Sequence, residues 1–86
     1  MNEEVRITTD VIRAIRPGQT IVYNVPISQA LAGRSTAYQV AFKSPQPGIK
    51  GYSCILSKGD DGKVIVSPDG RVKLSITAIP KKNDDA

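Results

Sequence analysis

Ile27-Ser28-Gln29-Ala30-Leu31-Ala32-Gly33-Arg34-Ser35-Thr36-Ala37-Tyr38-Gln39-Val40-Ala41-Phe42-Lys43 is the stretch whose reading decides the fold. Ile27, Leu31, Tyr38 and Phe42 recur at helical spacing, with Ala30, Ala37 and Ala41 beside them. That periodicity predicts an amphipathic helix whose apolar stripe covers the core. Pro26 precedes the segment, and Ser44-Pro45-Gln46-Pro47-Gly48 ends it, because proline lacks the N–H and disfavours helix in the residue before it. Gly33 is a candidate break, after which Ser35 would cap a second helix start.

Upstream, residues 20–25 (Thr-Ile-Val-Tyr-Asn-Val) are rich in β-branched and aromatic residues and read as a strand. Asp10 reads as an N-cap for residues 11–16, closed by Pro17-Gly18, although a strand through residues 11–15 fits the same side chains. Residues 5–8 alternate and suit a short edge strand. Downstream, Tyr52, Cys54 and Leu56 alternate with serines. Val64 and Val66 follow after Gly59-Asp60-Asp61-Gly62, and Val72, Leu74 and Ile76 follow after Pro68-Asp69-Gly70. The pattern predicts a three-stranded meander with one packed and one wet face. The expected fold is α+β, one main amphipathic helix packed on a small, mostly antiparallel sheet with a C-terminal three-stranded meander. Residues 1–4 read as an acidic disordered tail, 5–79 as the domain, and 80–86 as a flexible charged tail.

The 86 residues suffice for one domain, and a chain of this size buries only about 60% of its unfolded surface. Hydrophobic residues at 40% and charged residues at 23% are globular values and argue against full disorder. The short apolar runs exclude a membrane helix or a signal-peptide core. The single cysteine, Cys54, cannot close an internal disulfide, which fits a reducing cytoplasm. Without histidine, Ser-His-Asp and Cys-His catalysis and a structural zinc site are excluded, and no P-loop is present. Asp10, Asp60, Asp61 and Asp69 are the only carboxylates outside the tails, and turn or cap positions explain three of them, so the chain is expected to be neither an enzyme nor a cofactor binder.

The net charge is +4, and four of the eight acids (Glu3, Glu4, Asp84, Asp85) lie at the ends. Residues 11–59 carry six basic side chains and no acid, a field that favours polyanions, although such charge also serves solubility. Opposite the apolar stripe stand Gln29, Ala32, Thr36, Gln39 and Lys43. Glutamine, threonine and lysine suit base edges and phosphates in a DNA groove, and a plain solvent-facing side would look much the same. Arg34 and Ser35, at a helix start, would hold a phosphate. Lys58 and Lys63 flank a turn and would act as a basic wing, although Asp60 and Asp61 oppose that role. Arg71 and Lys73, on the wet face of the last strand, are further phosphate candidates. Tyr38 and Tyr52 occupy expected core positions and only Tyr23 an exposed one, which disfavours a base-stacking platform for single strands.

The stretches Ala32-Gly33-Arg34-Ser35-Thr36-Ala37-Tyr38-Gln39-Val40, Gly51-Tyr52-Ser53-Cys54 and Asp61-Gly62-Lys63-Val64-Ile65-Val66 resemble those of short proteins carried by phages and integrative elements. In these, a helix with an Arg-Ser-x-Ala core is followed by a β-hairpin ending in a short basic strand. The resemblance spans roughly residues 11–67 and implies a mobile-element origin and DNA binding. Here Val66 is followed by Ser67-Pro68 instead of a basic residue, which departs from that pattern at the wing.

Two functions follow as expectations. One is double-stranded DNA binding, with Gln29, Thr36, Gln39 and Lys43 in the major groove and Arg34, Ser35, Arg71 and Lys73 on phosphates. The other is a protein-interaction module, such as a phage-encoded adaptor or inhibitor, in which an unpaired edge at residues 20–25 or 72–79 adds a partner strand or a second copy. No positive signal marks a virion component.

Overall fold

The computed structural model describes residues 6–82. The tail expected at residues 1–4, Val5 of the expected first strand, and residues 83–86 of the tail expected at 80–86 lie outside the described residues, while Pro80 closes the last strand. Residues 6–8 form no strand. Instead Thr8 caps a short helix, α1 (Thr9–Arg13), its hydroxyl accepting from the Val11 N–H, so the helix begins before Asp10. Asp10 sits in the first turn, where its charge complements the helix dipole. Pro17 and Gly18, the latter at φ 82°, then turn the chain into β1 (Thr20–Pro26).

Pro26 ends β1 and leads directly into α2 (Ile27–Lys43), which runs unbroken through Gly33. Ser44, held out of the helical region ahead of Pro45 (φ -135°, ψ 60°), still donates its N–H to the Val40 carbonyl at 2.9 Å, and the helix stops there. β2 (Ile49–Leu56) and β3 (Arg71–Pro80) complete an antiparallel sheet of order β1-β3-β2. The α+β class with one main helix on an antiparallel sheet is therefore the observed one. β1 and β2 run parallel to each other with β3 between them, a split β-α-β arrangement joined by α2.

The expected middle strand of the meander is absent. Residues 64–66 supply only one bridge, Lys58 to Val64, and β1 takes the place beside β3, from Thr20 opposite Thr77 to Pro26 opposite Arg71. Since β3 is paired on both sides, residues 72–79 offer no free edge. The outer edges belong to β1 and β2.

The core lies between α1, α2 and one face of the sheet. Val72, Leu74, Ile76 and Ala78 point into it from β3, Val25 from β1, Ile49 and Tyr52 from β2, and Ile7, Ile12 and Ile15 from the N-terminal segment. α2 contributes its small residues, Ala30, Gly33, Ala37 and Val40. The stripe expected to face inward is turned outward: Ile27, Leu31, Tyr38 and Phe42 are all exposed. The isoleucines before β1 and the large side chains of the sheet already fill the space beneath α2, which leaves room only for side chains of alanine or valine size.

Candidate nucleic-acid interface

Alternation along β3 separates the candidate residues. Val72, Leu74, Ile76 and Ala78 lie beneath the helices, so Arg71, Lys73, Ser75 and Thr77 project from the opposite, open face. Arg34, Ser35, Thr36, Gln39 and Lys43 ride on α2, on the covered side. The sheet thus stands between Arg34 and Lys73, and one helix-led surface does not contain both sets of cations.

On α2, Arg34 donates from Nε to the Tyr38 hydroxyl at 3.2 Å, and its guanidinium carbon lies 5.7 Å from the Tyr38 ring centroid. Ser35 is an exposed mid-helix residue whose neighbours' N–H groups are spent in the helix, so the phosphate-holding helix start expected there does not exist. Thr36 turns its hydroxyl back to the Ala32 carbonyl at 2.9 Å. Gln39 and Lys43 are exposed and border a shallow cleft of about 120 Å³ with Thr9, Val40 and Ser44. Gln29 and Thr36 are half-buried, so of the expected face only Ala32, Gln39 and Lys43 are exposed, and Gln39 and Lys43 are its exposed polar side chains.

The open face carries Thr20, Val22 and Asn24 from β1, Arg71, Lys73, Ser75 and Thr77 from β3, and Ser53 and Ile55 from β2. The Thr20 and Thr77 hydroxyls are hydrogen-bonded at 2.7 Å across the β1–β3 pair. The segment between β2 and β3 folds back over this face. Ser57 donates its N–H to the Lys73 carbonyl at 3.0 Å, Ile65 to the Ser57 carbonyl at 3.0 Å, and Ser67 to the Arg71 carbonyl at 2.8 Å. Gly62 and Gly70, at φ 80° and 81°, make the two reversals that allow this path. Lys58 and Lys63 sit on that fold-back, exposed, either side of the Asp60-Asp61 turn, and the Lys63 N–H is tied to Asp61 Oδ1 at 3.0 Å.

Between the fold-back and the sheet opens a cavity of about 270 Å³ lined by Asn24, Ser57, Ile65, Ser67, Arg71 and Lys73. Arg71 is fixed at its rim. Its Nη1 donates to the Asn24 carbonyl at 3.2 Å, and its Nε lies 3.4 Å from Asp69 Oδ2. The Ser67 hydroxyl donates to Asp69 Oδ1. That hydrogen bond, with a smaller contribution from Arg71, holds the Asp69 carboxyl below the usual carboxylate range. Among the described residues, Lys73 meets no carboxylate. The site can therefore offer an ammonium, a pre-oriented guanidinium, the Ser57 hydroxyl and an amide to an anion, the Ser67 hydroxyl being spent on Asp69.

Arg71 and Lys73 were visible in the sequence as wet-face residues of an alternating strand. Asn24, Ser57, Ile65 and Ser67 were not. They enter only through the β1–β3 register and the fold-back, neither of which leaves a local signature. Tyr23 is half-buried on the covered face, Tyr52 is buried, and Tyr38, expected inside, is exposed. No aromatic side chain lies among the open-face residues named above. Cys54 is half-buried beneath α2, and burial raises its thiol pKa against a smaller pull from Arg34. Among the described residues no three potential metal ligands cluster, and no helix is long and apolar enough to cross a membrane.

Comparison of the chain with protein-family models, with curated proteins and with solved structures gives no match.

Proposed function

We propose that this protein is a non-enzymatic nucleic-acid-binding module that contacts phosphates through the open face of its sheet. The observation that carries the reading is the convergence of Arg71 and Lys73 with Asn24, Ser57 and Ser67 around one cavity. Charge-assisted hydrogen bonds from a guanidinium and an ammonium, supplemented by hydroxyls, are the usual means of holding phosphate. Double-stranded DNA is the favoured ligand, because the open face lacks the aromatic rings on which single strands stack. The face of α2 has less support as a groove reader: Thr36 spends its hydroxyl on its own helix, and the stripe Ile27, Leu31, Tyr38 and Phe42 puts apolar surface outward.

Anisotropy of a labelled mixed-sequence duplex, titrated with protein from low salt to about 0.2 M, tests the reading. Duplex binding that weakens steeply with salt supports it, and single-stranded DNA is the comparison ligand. No duplex binding at low salt would remove it. A protein-interaction role keeps one specific observation in its favour, the exposed apolar stripe of α2.

A further inference from the structure

The cavity on the open face brings two cations together. Asn24 is the register partner of Lys73, and Arg71, two residues before Lys73 on β3, donates Nη1 to the Asn24 carbonyl at 3.2 Å. That bond draws the guanidinium toward the level of Lys73, and both side chains line the same cavity of about 270 Å³. Like charges held in one cavity repel, and an anion between them relieves that cost. Arg71 has donors left for one: with one N–H on Asn24 and Nε facing Asp69, three of its five N–H groups remain. Asp69 is itself well exposed and lies outside the lining, so it offsets Arg71 from the water side.

The cavity is larger than a bare phosphate needs and is lined for more than one. At about 30 Å³ per water it has room for about nine waters, whereas a phosphate group has about five heavy atoms. Ile65, 56% exposed, supplies an apolar wall from the fold-back, and Asn24 supplies an amide with both donors and an acceptor. A phosphate dianion uses neither the wall nor the acceptor, while a sugar and a base use both. The volume lies just below the range of about 300–1,000 Å³ typical of small-ligand pockets, so it matches one nucleoside and not a stretch of duplex.

Charge and access distinguish one kind of phosphate from another. An internal phosphodiester carries a single charge and a nucleotide on either side, and the fold-back covers one side of the cavity. A phosphomonoester carries a charge of about −1.5 to −2 at neutral pH, three acceptor oxygens and a substituent on one side only. We infer that the cavity seats a nucleoside phosphomonoester, with its phosphate between Arg71 and Lys73 and its nucleoside against Ile65 and the Asn24 amide. Given the phosphate reading of the open face, on which this rests, the ligand is either the phosphorylated end of a strand or a free nucleotide, which share this chemistry.

Two titrations of the full chain test the assignment. Calorimetry compares adenosine 5′-monophosphate with adenosine and with inorganic phosphate. Anisotropy compares a labelled hairpin duplex ending in a 5′-phosphate with the same duplex ending in a 5′-hydroxyl. The monophosphate is expected to bind more tightly than either of its parts, and the 5′-phosphate to tighten duplex binding by about tenfold. Lys73→Ala and Ile65→Ser, both at exposed positions, are expected to keep the native circular dichroism. The first should remove the preference for the phosphorylated end, and the second should weaken the monophosphate while leaving inorganic phosphate unchanged. Monophosphate binding with no preference between the duplexes supports the cavity with a free nucleotide as its ligand, and if neither duplex binds at low salt the nucleic-acid reading falls alone. No monophosphate binding and no duplex preference overturns the proposal, and duplex binding in that case leaves the phosphate reading standing. A preference that survives both substitutions overturns it as well.

Discussion

Ile7 lies directly on Gly33: a Cβ placed at Gly33 would stand 2.6 Å from Ile7 Cδ1 and 2.9 Å from Ile7 Cβ. The segment ahead of α1 therefore reaches α2 at a distance only a glycine permits, and this contact closes one side of the core.

Gly33→Ala is accordingly expected to destabilise the fold despite improving helix propensity. Alanine gains up to about 1 kcal/mol in a helix interior, while overpacking a core contact costs about 1–3 kcal/mol. The crowding involves Ile7 Cβ as well as the flexible end of the side chain, so the strain should win. Chemical denaturation should show a lower midpoint, and shortening Ile7 in the Gly33→Ala background should recover part of the loss.

Tyr52 presents the opposite case. Its hydroxyl is buried and has no hydrogen-bond partner among the described residues, and burial raises its pKa. An unsatisfied buried polar group costs about 1–3 kcal/mol. Tyr52→Phe should therefore be stabilising, and at about 4–8 °C per kcal/mol for a domain of this size a thermal melt will register it. A lowered melting temperature would show that the hydroxyl has a partner in solution.

For binding, Lys73→Ala should weaken duplex affinity on all sequences and reduce the slope of log K against log salt by about 1. Gln39→Ala, on the other side of the sheet, should leave both affinity and slope unchanged. Anisotropy titrations at several salt concentrations read both effects, and a larger loss from Gln39→Ala would return the interface to α2.

Acid should loosen the turn that carries Arg71. The Asp69 carboxyl is held below its ordinary value first by the Ser67 hydroxyl and, to a smaller extent, by Arg71. A depressed folded-state pKa stabilises above the unfolded value of about 3.9, and that contribution is lost as pH falls through the lower folded value. Stability measured between neutral pH and strong acid should decline in that window, and Asp69→Asn should remove that part of the decline. At neutral pH, Asp69→Asn should also tighten duplex binding by withdrawing a negative charge from beside Arg71.

The helix was legible to its ends because Pro26 and Ser44-Pro45 bracket it, and covalent chemistry decides those boundaries. Its inward face was not. A stripe of large apolar residues marks a face to be covered, but what covers it depends on the volume left by other elements. Here Ile7, Ile12, Ile15 and the sheet occupy the space first. The same limit explains residues 64–66, whose alternation matches that of a true strand, while the partner β3 actually takes is more than forty residues away in sequence, with Tyr23 opposite Leu74. Of the open-face site, the cations could be read from alternation along one strand. Asn24, Ser57 and Ser67 join them only once register and fold-back are known.

The position of β3 at the centre of the sheet also bears on how the chain is made. Among the described residues β1 and β2 pair with no strand but β3, so until Arg71–Pro80 has left the ribosome neither has that partner. During synthesis α2 can form locally, but the sheet must await its last strand and then assemble from non-local pairs in one step. Such high-contact-order assembly is slow and exposes unpaired edges to other nascent chains. A nonsense or frameshift lesion anywhere before residue 71 would consequently release a chain with no sheet at all.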